Sequence, residues 1–248
     1  MTRNGAGRFG GKVALVTGAS SGLGQAVARS LSAGGADVFG TGRDEARLSA
    51  TLAENAWLAA DLTDPAACAE AVRACSERFD GIDILVNAAG AHTMRHTAEV
   101  TDKEWEHDLA VNLSAPFFLS RAALPHLLDR QGCIVNVASI AGLEGQAYSA
   151  GYCAAKHGLI GLTRAMALEF DGRGIRVNAV CPGGMTTPLL ENFTFPEDPD
   201  YTLIMKTATP RGLMDPTQVA NVITFLCSDE ASAVHGAVYT VDNGKMAL

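Results

Sequence analysis

The sequence predicts a single α/β domain, a doubly wound parallel sheet of about seven strands with helices on both faces. Three observations carry this. Short apolar runs alternate with helical patterns along nearly the whole chain, the order that builds a parallel sheet. A glycine-rich turn follows the first apolar run and opens the first helix. The composition, 248 residues with 48% hydrophobic and 19% charged, supplies one large core, and no linker or repeat divides it. Residues 1–11 are polar and glycine-rich and read as a flexible tail, leaving 12–248 as the domain.

The first strand is 13–17, apolar and ended by glycine. Next comes Gly18-Ala19-Ser20-Ser21-Gly22-Leu23-Gly24, then a helix over 25–31. Glycines let a backbone approach a pyrophosphate, and a helix N-terminus offers free N–H groups and a positive dipole end. The same residues also spell G-x-S-x-G, a hydrolase nucleophile elbow with Ser20 as nucleophile. An elbow does not need Gly24 and normally follows several strands, so the dinucleotide reading is the better one.

A second strand, 36–41, ends in Gly42-Arg43-Asp44. An acidic residue at this strand end takes the ribose 2′-hydroxyl of NAD. Here glycine holds that place and arginine follows, which favours a 2′-phosphate and so NADP(H) over NAD(H). Asp44 reads as the N-cap of a helix over 45–53. The third strand, 57–60, ends in Asp61-Leu62, where a carboxylate can accept from an adenine amino group or cap the helix that Pro65 begins. A helix over 66–79 leads to a fourth strand, 82–86. Asn87-Ala88-Ala89-Gly90 follow, small enough for a ligand ring to lie against the backbone.

A long helix is expected over 101–128, opened by a Thr101–Glu104 capping box. Asn112 lies inside it, where asparagine has no local advantage and needs a partner. The fifth strand, 133–138, ends at Ser139, on the side of the sheet where ligands bind. A helix over 152–170 then carries Tyr152 and Lys156, one turn apart on one face. An ammonium beside a phenol favours the phenolate, so the pair is a candidate acid/base device. A sixth strand, 175–181, leads to Pro182-Gly183-Gly184-Met185-Thr186-Thr187. Residues 188–214 read as irregular and Pro-rich but too apolar for a plain connection, hence as a lid over a binding site. A helix over 216–227 and a strand over 237–241 complete the sheet.

The net charge of −8, without a Lys/Arg cluster, argues against nucleic acid and anionic membrane as partners. With no apolar leader and no run of 18 apolar residues, the chain reads as cytoplasmic. Cys68, Cys75, Cys133, Cys153, Cys181 and Cys227 show neither a C-x-x-C pair nor zinc spacing and read as reduced core residues; no metal site is expected.

Taken together, these residues resemble the short-chain dehydrogenase/reductase family from about Lys12 onward. Thr17 to Gly24 match its T-G-x-x-x-G-x-G, Asp61 its adenine-side aspartate, and Asn87 to Gly90 its N-A-G motif. Asn112, Ser139, Tyr152 and Lys156 match its catalytic tetrad, and Pro182, Gly183 and Thr187 its P-G-x-x-x-T stretch near the nicotinamide. The resemblance implies a Rossmann fold and hydride exchange between a nicotinamide and a small carbonyl or alcohol substrate. It implies that Tyr152 moves the proton, that Lys156 lowers the tyrosine pKa and holds the ribose, that Ser139 fixes the substrate oxygen and that Asn112 positions a water. The 3-oxoacyl-[acyl-carrier-protein] reductase type is the most similar. Val241-Asp242-Asn243-Gly244 depart from its V-D-G-G, and the lid carries an unusual Phe193-Thr194-Phe195. His92, Glu144, Gln146, Met185 and Leu189 are expected to shape the substrate pocket, with Arg95, His96 and Arg121 the basic residues offered to a carrier protein. The family implies a homotetramer or homodimer built on the helices at 101–128 and 152–170. An NAD(H)-dependent alcohol, sugar or steroid dehydrogenase, and a non-catalytic dinucleotide-binding protein, are the alternatives.

Overall fold

The computed structural model describes residues 7–191 and 193–247. Seven strands form one parallel sheet: β1 (Val13–Thr17), β2 (Asp37–Gly42), β3 (Trp57–Ala59), β4 (Ile84–Asn87), β5 (Cys133–Val137), β6 (Arg176–Pro182) and β7 (Val238–Val241). Their order is β3-β2-β1-β4-β5-β6-β7. The predicted fold class and all seven strands are present, with ends shifted by one or two residues.

The helices are α1 (Gly22–Ala33), α2 (Glu45–Thr51), α3 (Pro65–Phe79), α4 (Asp102–Leu109), α5 (Ala115–Asp129), α6 (Ala150–Glu169), α7 (Pro188–Glu191), α8 (Tyr201–Met205) and α9 (Pro216–Cys227). Leu31 of α1 and Ile223 of α9 pack on one face of the sheet. Val72 of α3, Leu119 of α5 and Met166 of α6 pack on the other. Every residue of β1, β4 and β5 is therefore buried, which is why these strands read as continuous apolar runs rather than as alternating ones. None of the described helices is long and apolar enough to cross a membrane.

Three expectations are corrected. The helix over 101–128 is not regular. Between α4 and α5 the segment Ala110–Ser114 widens into a π turn around Asn112. Inserting one residue loosens the backbone ladder, and the asparagine side chain satisfies groups at that point. The segment 188–214 is not simply irregular, because it contains α7 and α8, the second capped by Asp200 accepting from Thr202 N. The tail is not loose where it is described. Phe9 is buried at 3% exposure, its amide donates to Gly34 O at 2.8 Å, and Arg8 pairs with Glu230 at 2.7 Å. Burying one phenyl ring contributes about 2 kcal/mol, enough to dock a short polar segment. Residues 1–6 of the expected tail lie outside the described residues.

The chain leaves β1 for β2 and β3 on one side, then returns to β4 on the other. The carboxyl ends of β1 and β4 therefore part, and this opens the crevice in which doubly wound sheets bind ligands.

Candidate active site

A cavity of about 450 Å³ runs along these carboxyl ends. At one end lies the glycine turn. Gly18 and Gly22 have φ of +69° and +53°, a conformation that side chains resist. A Cβ on Gly24 would lie 2.3 Å from Gly18 O, so only a bare backbone closes this turn. Thr17 Oγ1 accepts from Ala88 N at 3.0 Å and Ala89 N at 2.9 Å, tying the end of β1 to the loop after β4. Gly18, Ser20, Ser21, Gly22, Leu23 and Gly24 line the cavity, and Ser21 makes no side-chain cap, leaving the first amides of α1 free for a ligand.

At the end of β2 a Cβ on Gly42 would meet Ser20 Oγ at 2.8 Å. A side chain there would have to displace the Ser20 hydroxyl, whereas Arg43 is exposed and lines the cavity. Asp61 and Leu62 line the same region. Asp61 Oδ1 accepts from Thr63 N at 3.0 Å and Oγ1 at 2.9 Å, and these bonds hold its carboxyl below the usual range. Ala88 and Gly90 line the wall opposite, and Pro182, Gly183 and Thr187 line the floor after β6.

Tyr152 and Lys156 are buried on one face of α6 and both reach the cavity. Ser139 is buried, does not line the cavity, and acts on Tyr152 by holding its pKa down, while its Oγ accepts from Ala141 N at 3.1 Å. Asn112 is fully buried. Its Nδ2 donates to Ala91 O at 2.9 Å and Asp108 O at 3.0 Å, and its Oδ1 accepts from Ala91 N at 3.3 Å. The structure thus resolves the partner of Asn112 as the loop after β4, and the side chain does not face the cavity.

The electrostatics differ from the expectation that Lys156 lowers the tyrosine pKa. Burial pushes the Tyr152 hydroxyl up to about 12, only partly offset by its bond with Ser139. Burial brings Lys156 down to about 8. Its Nζ donates to Val137 O at 2.8 Å and lies 5.6 Å from the centre of the tyrosine ring.

Two other expected site residues point elsewhere. Asn87 Nδ2 donates to Asn136 Oδ1 at 2.8 Å and Ser120 Oγ at 3.3 Å, which turns the side chain into the sheet. Glu144 pairs with Lys245 at 2.9 Å and does not line the cavity. His92, Gln146, Met185 and Leu189 do line it.

The expected His92 and lid aromatics complete the far end, together with Ser149, Tyr148 and Asp108, which sequence reasoning missed. The His92 ring stacks on Tyr152 with centroids 4.0 Å apart and planes at 17°. Its Nε2 lies 2.8 Å from Ser149 Oγ, which donates in turn to Ala147 O at 3.2 Å. Burial, and then Lys156, lower the imidazole pKa to about 4, so the ring is neutral. Phe193 of the lid meets His92 edge-on at 4.7 Å and Phe195 at 5.7 Å, and Phe195 meets Tyr201 at 6.0 Å. The lid is latched from outside by His96 on Glu197 O at 2.7 Å and by Asp200 N on Tyr148 Oη at 2.9 Å. Asp108 is a buried carboxyl whose Oδ1 has no partner, and burial raises it to about 6.

Known proteins resemble this chain in sequence and fold. A family model described as enoyl-(acyl carrier protein) reductase matches residues 18–245. The meso-2,3-butanediol dehydrogenase of Serratia marcescens is 38% identical over 97% of this chain and 96% of its own. The 3-oxoacyl-[acyl-carrier-protein] reductase of Vibrio cholerae is 38% identical over 94% and 97%. Among solved structures, the 3-ketoacyl-(acyl-carrier-protein) reductase of Brucella melitensis complexed with NADH superposes with a TM-score of 0.85 at 33% identity, covering 95% of this chain and 98% of that one. The chain belongs to the short-chain dehydrogenase/reductase family, oxidoreductases acting on alcohol and carbonyl groups.

Proposed function

We propose that this protein interconverts a ketone and a secondary alcohol with NADP(H). The observation that supports it most is the burial of Tyr152 and Lys156 on one helix face beside Ser139, in the cavity that begins at the bare glycine turn. That turn fits a pyrophosphate, because no side chain caps the first amides of α1 and the turn lines the cavity. Asp61 and Leu62 would hold the adenine end, and Arg43 a 2′-phosphate. Ala88, Gly90, Pro182, Gly183 and Thr187 would hold the nicotinamide end. The bound nicotinamide supplies or accepts the hydride.

The chain's own residues hold the substrate and move the proton. Ser139 binds the substrate oxygen, and Tyr152 gives it a proton in reduction and takes one in oxidation. With its pKa raised in the free protein, the tyrosine stays protonated, and giving up that proton at neutral pH requires bound cofactor and substrate to lower the pKa. Lys156, brought down to about 8 by burial, still carries its proton at neutral pH and loses it as the pH rises past that value. Asn112 fixes the loop wall opposite through Ala91.

The chemistry is that of a ketoacyl-type reductase, but attachment of the substrate to a carrier protein finds little support. Such a partner is acidic, and the cations first offered to it are engaged. Arg95 pairs with Glu104 at 3.0 Å, His96 bonds the lid, and Arg121 lies over Phe117 and Phe118.

Tyr152→Phe tests the reading. It is expected to cut NADPH oxidation at 340 nm with a responsive ketone by roughly 10²–10⁴-fold while leaving dinucleotide binding in place. Undiminished turnover would sink the proton role. Binding of NADPH by the wild type with no turnover across ketones, sugars, steroids and 3-oxoacyl thioesters would favour a non-catalytic dinucleotide-binding protein.

A further inference from the structure

The basic groups of the cavity are unevenly placed. Among the described residues, Arg43, His92, His107 and Lys156 are the basic side chains that line it. Arg43 and His107 both add to the pull of Thr63 on the Asp61 carboxyl, which sets them at the adenine end. Lys156 is beside the Tyr152 ring, at the reacting centre, and donates to Val137 O at 2.8 Å. His92 is neutral at pH 7, because burial and then Lys156 lower its pKa to about 4. Beyond Tyr152, where the lid closes the cavity, no lysine or arginine of the described residues lines the wall. A carboxylate or phosphate enclosed there would give up its water and gain no counter-charge, which is a large cost.

The same end of the cavity is walled by rings. Phe193 meets His92 at 70° with centroids 4.7 Å apart, and meets Phe195 at 72° and 5.7 Å. Two successive near-perpendicular contacts make a stepped corner rather than a closed stack. His92, Phe193 and Phe195 all line the cavity, and Phe195 is 43% exposed, so the protein alone does not fill the corner. Met185 and Leu189 line it as well, and a thioether packs favourably at the edge of an aromatic ring. A guest ring here gains edge and face contacts that a saturated group of the same size does not. Only His92 stands between Phe193 and Tyr152, so a ring in this corner and a carbonyl at Tyr152 fit within one small molecule. We infer that the substrate is an uncharged ketone bearing an aryl group, its carbonyl at Tyr152 and its ring in the corner of His92, Phe193 and Phe195. In its reduction a hydride passes from the nicotinamide to the carbonyl carbon and the Tyr152 proton to the oxygen. The products are a secondary alcohol and the oxidised nicotinamide, and the aryl ring is unchanged. This inference rests on the oxidoreductase reading above and adds the substrate class to it.

The test uses two matched pairs, each with NADPH and with NADH. The first, 1-phenylpropan-2-one against 1-cyclohexylpropan-2-one, changes only the aromaticity of the ring. The second, 4-methylpentan-2-one against acetoacetate, exchanges a branched alkyl group for a carboxylate of similar shape. Acetoacetyl-coenzyme A is run alongside. In kcat/KM the wild type is expected to favour the phenyl ketone by about fivefold or more, and 4-methylpentan-2-one over acetoacetate by about tenfold or more. Phe193→Leu and Phe195→Leu keep an apolar side chain and remove the ring, and each is expected to bring the phenyl-to-cyclohexyl ratio toward one. Because that ratio is read within one variant, a general loss of activity does not imitate the effect. In proton NMR, the Phe193 ring resonances should move on addition of 1-phenylpropan-2-ol and far less with 1-cyclohexylpropan-2-ol. A wild-type phenyl-to-cyclohexyl ratio at or below one, a ratio unchanged in both variants, or faster turnover of acetoacetate or acetoacetyl-coenzyme A than of the phenyl ketone overturns the inference while leaving an oxidoreductase. Absence of turnover on every compound with either cofactor overturns the oxidoreductase reading itself.

Discussion

At the residue scale, two side chains make quantitative predictions. Arg43 lines the cavity beside Gly42, where the sequence places no carboxylate. Arg43→Asp is expected to lower the NADPH/NADH affinity ratio at least about tenfold, as loss of a charge-assisted bond would, and an unmoved ratio in fluorescence titrations refutes the 2′-phosphate assignment. Asp108 concerns stability. Its pKa in the fold is about 6 against an ordinary 3.8, chiefly because it is buried. Between those values the folded chain holds a proton that the unfolded chain has released, so stability falls as pH rises through this window, and the penalty is complete above it. Asp108→Asn removes the ionisation at nearly unchanged size. It is expected to stabilise the protein by about 1 kcal/mol at pH 8 and by less near pH 4, as read from urea midpoints. Equal effects at both pH values would show that ionisation is not the cause.

At the element scale, the lid is the segment that most alters the picture drawn from sequence. Its aromatic side chains reach from Tyr201 through Phe195 and Phe193 to His92, which lies on Tyr152. Phe193→Ala removes two ring contacts, each worth roughly 0.5–1.5 kcal/mol. It is expected to raise KM about five- to tenfold while kcat changes less, and a loss confined to kcat would argue that the lid does not grip substrate. The strands, the glycine turn and the Tyr152–Lys156 face were legible in the sequence because each is a local pattern: an apolar run, fixed glycine spacing, or a pair four residues apart. What was not legible depends on distant partners. Nothing local shows that Asn87 bonds Asn136, that Glu144 meets Lys245, or that Ser149 orients His92. Asn112 is intermediate: its awkward position in a helix announced a partner, and only the fold shows that the partner is Ala91 and that the helix widens to reach it.

At the scale of the whole molecule, α4, α5 and α6 leave Trp105, Phe117 and Leu168 at 41%, 40% and 80% exposure. These are the helices through which the sequence suggests pairing of copies. A homodimer or homotetramer is expected in sedimentation velocity, and Phe117→Asp with Leu168→Asp should shift it to smaller species. A wild type that sediments as a monomer at micromolar concentration would contradict that expectation.

The ring ladder of the lid also has an optical consequence. The two tryptophans, Trp57 in β3 and Trp105 in α4, both lie outside the lid, so their emission does not follow it. Phe195 stands midway along the ladder and is 43% exposed. A tryptophan at that position would convert opening and closing of the cavity into a change in emission wavelength, readable in a stopped-flow instrument before any bond to the substrate changes.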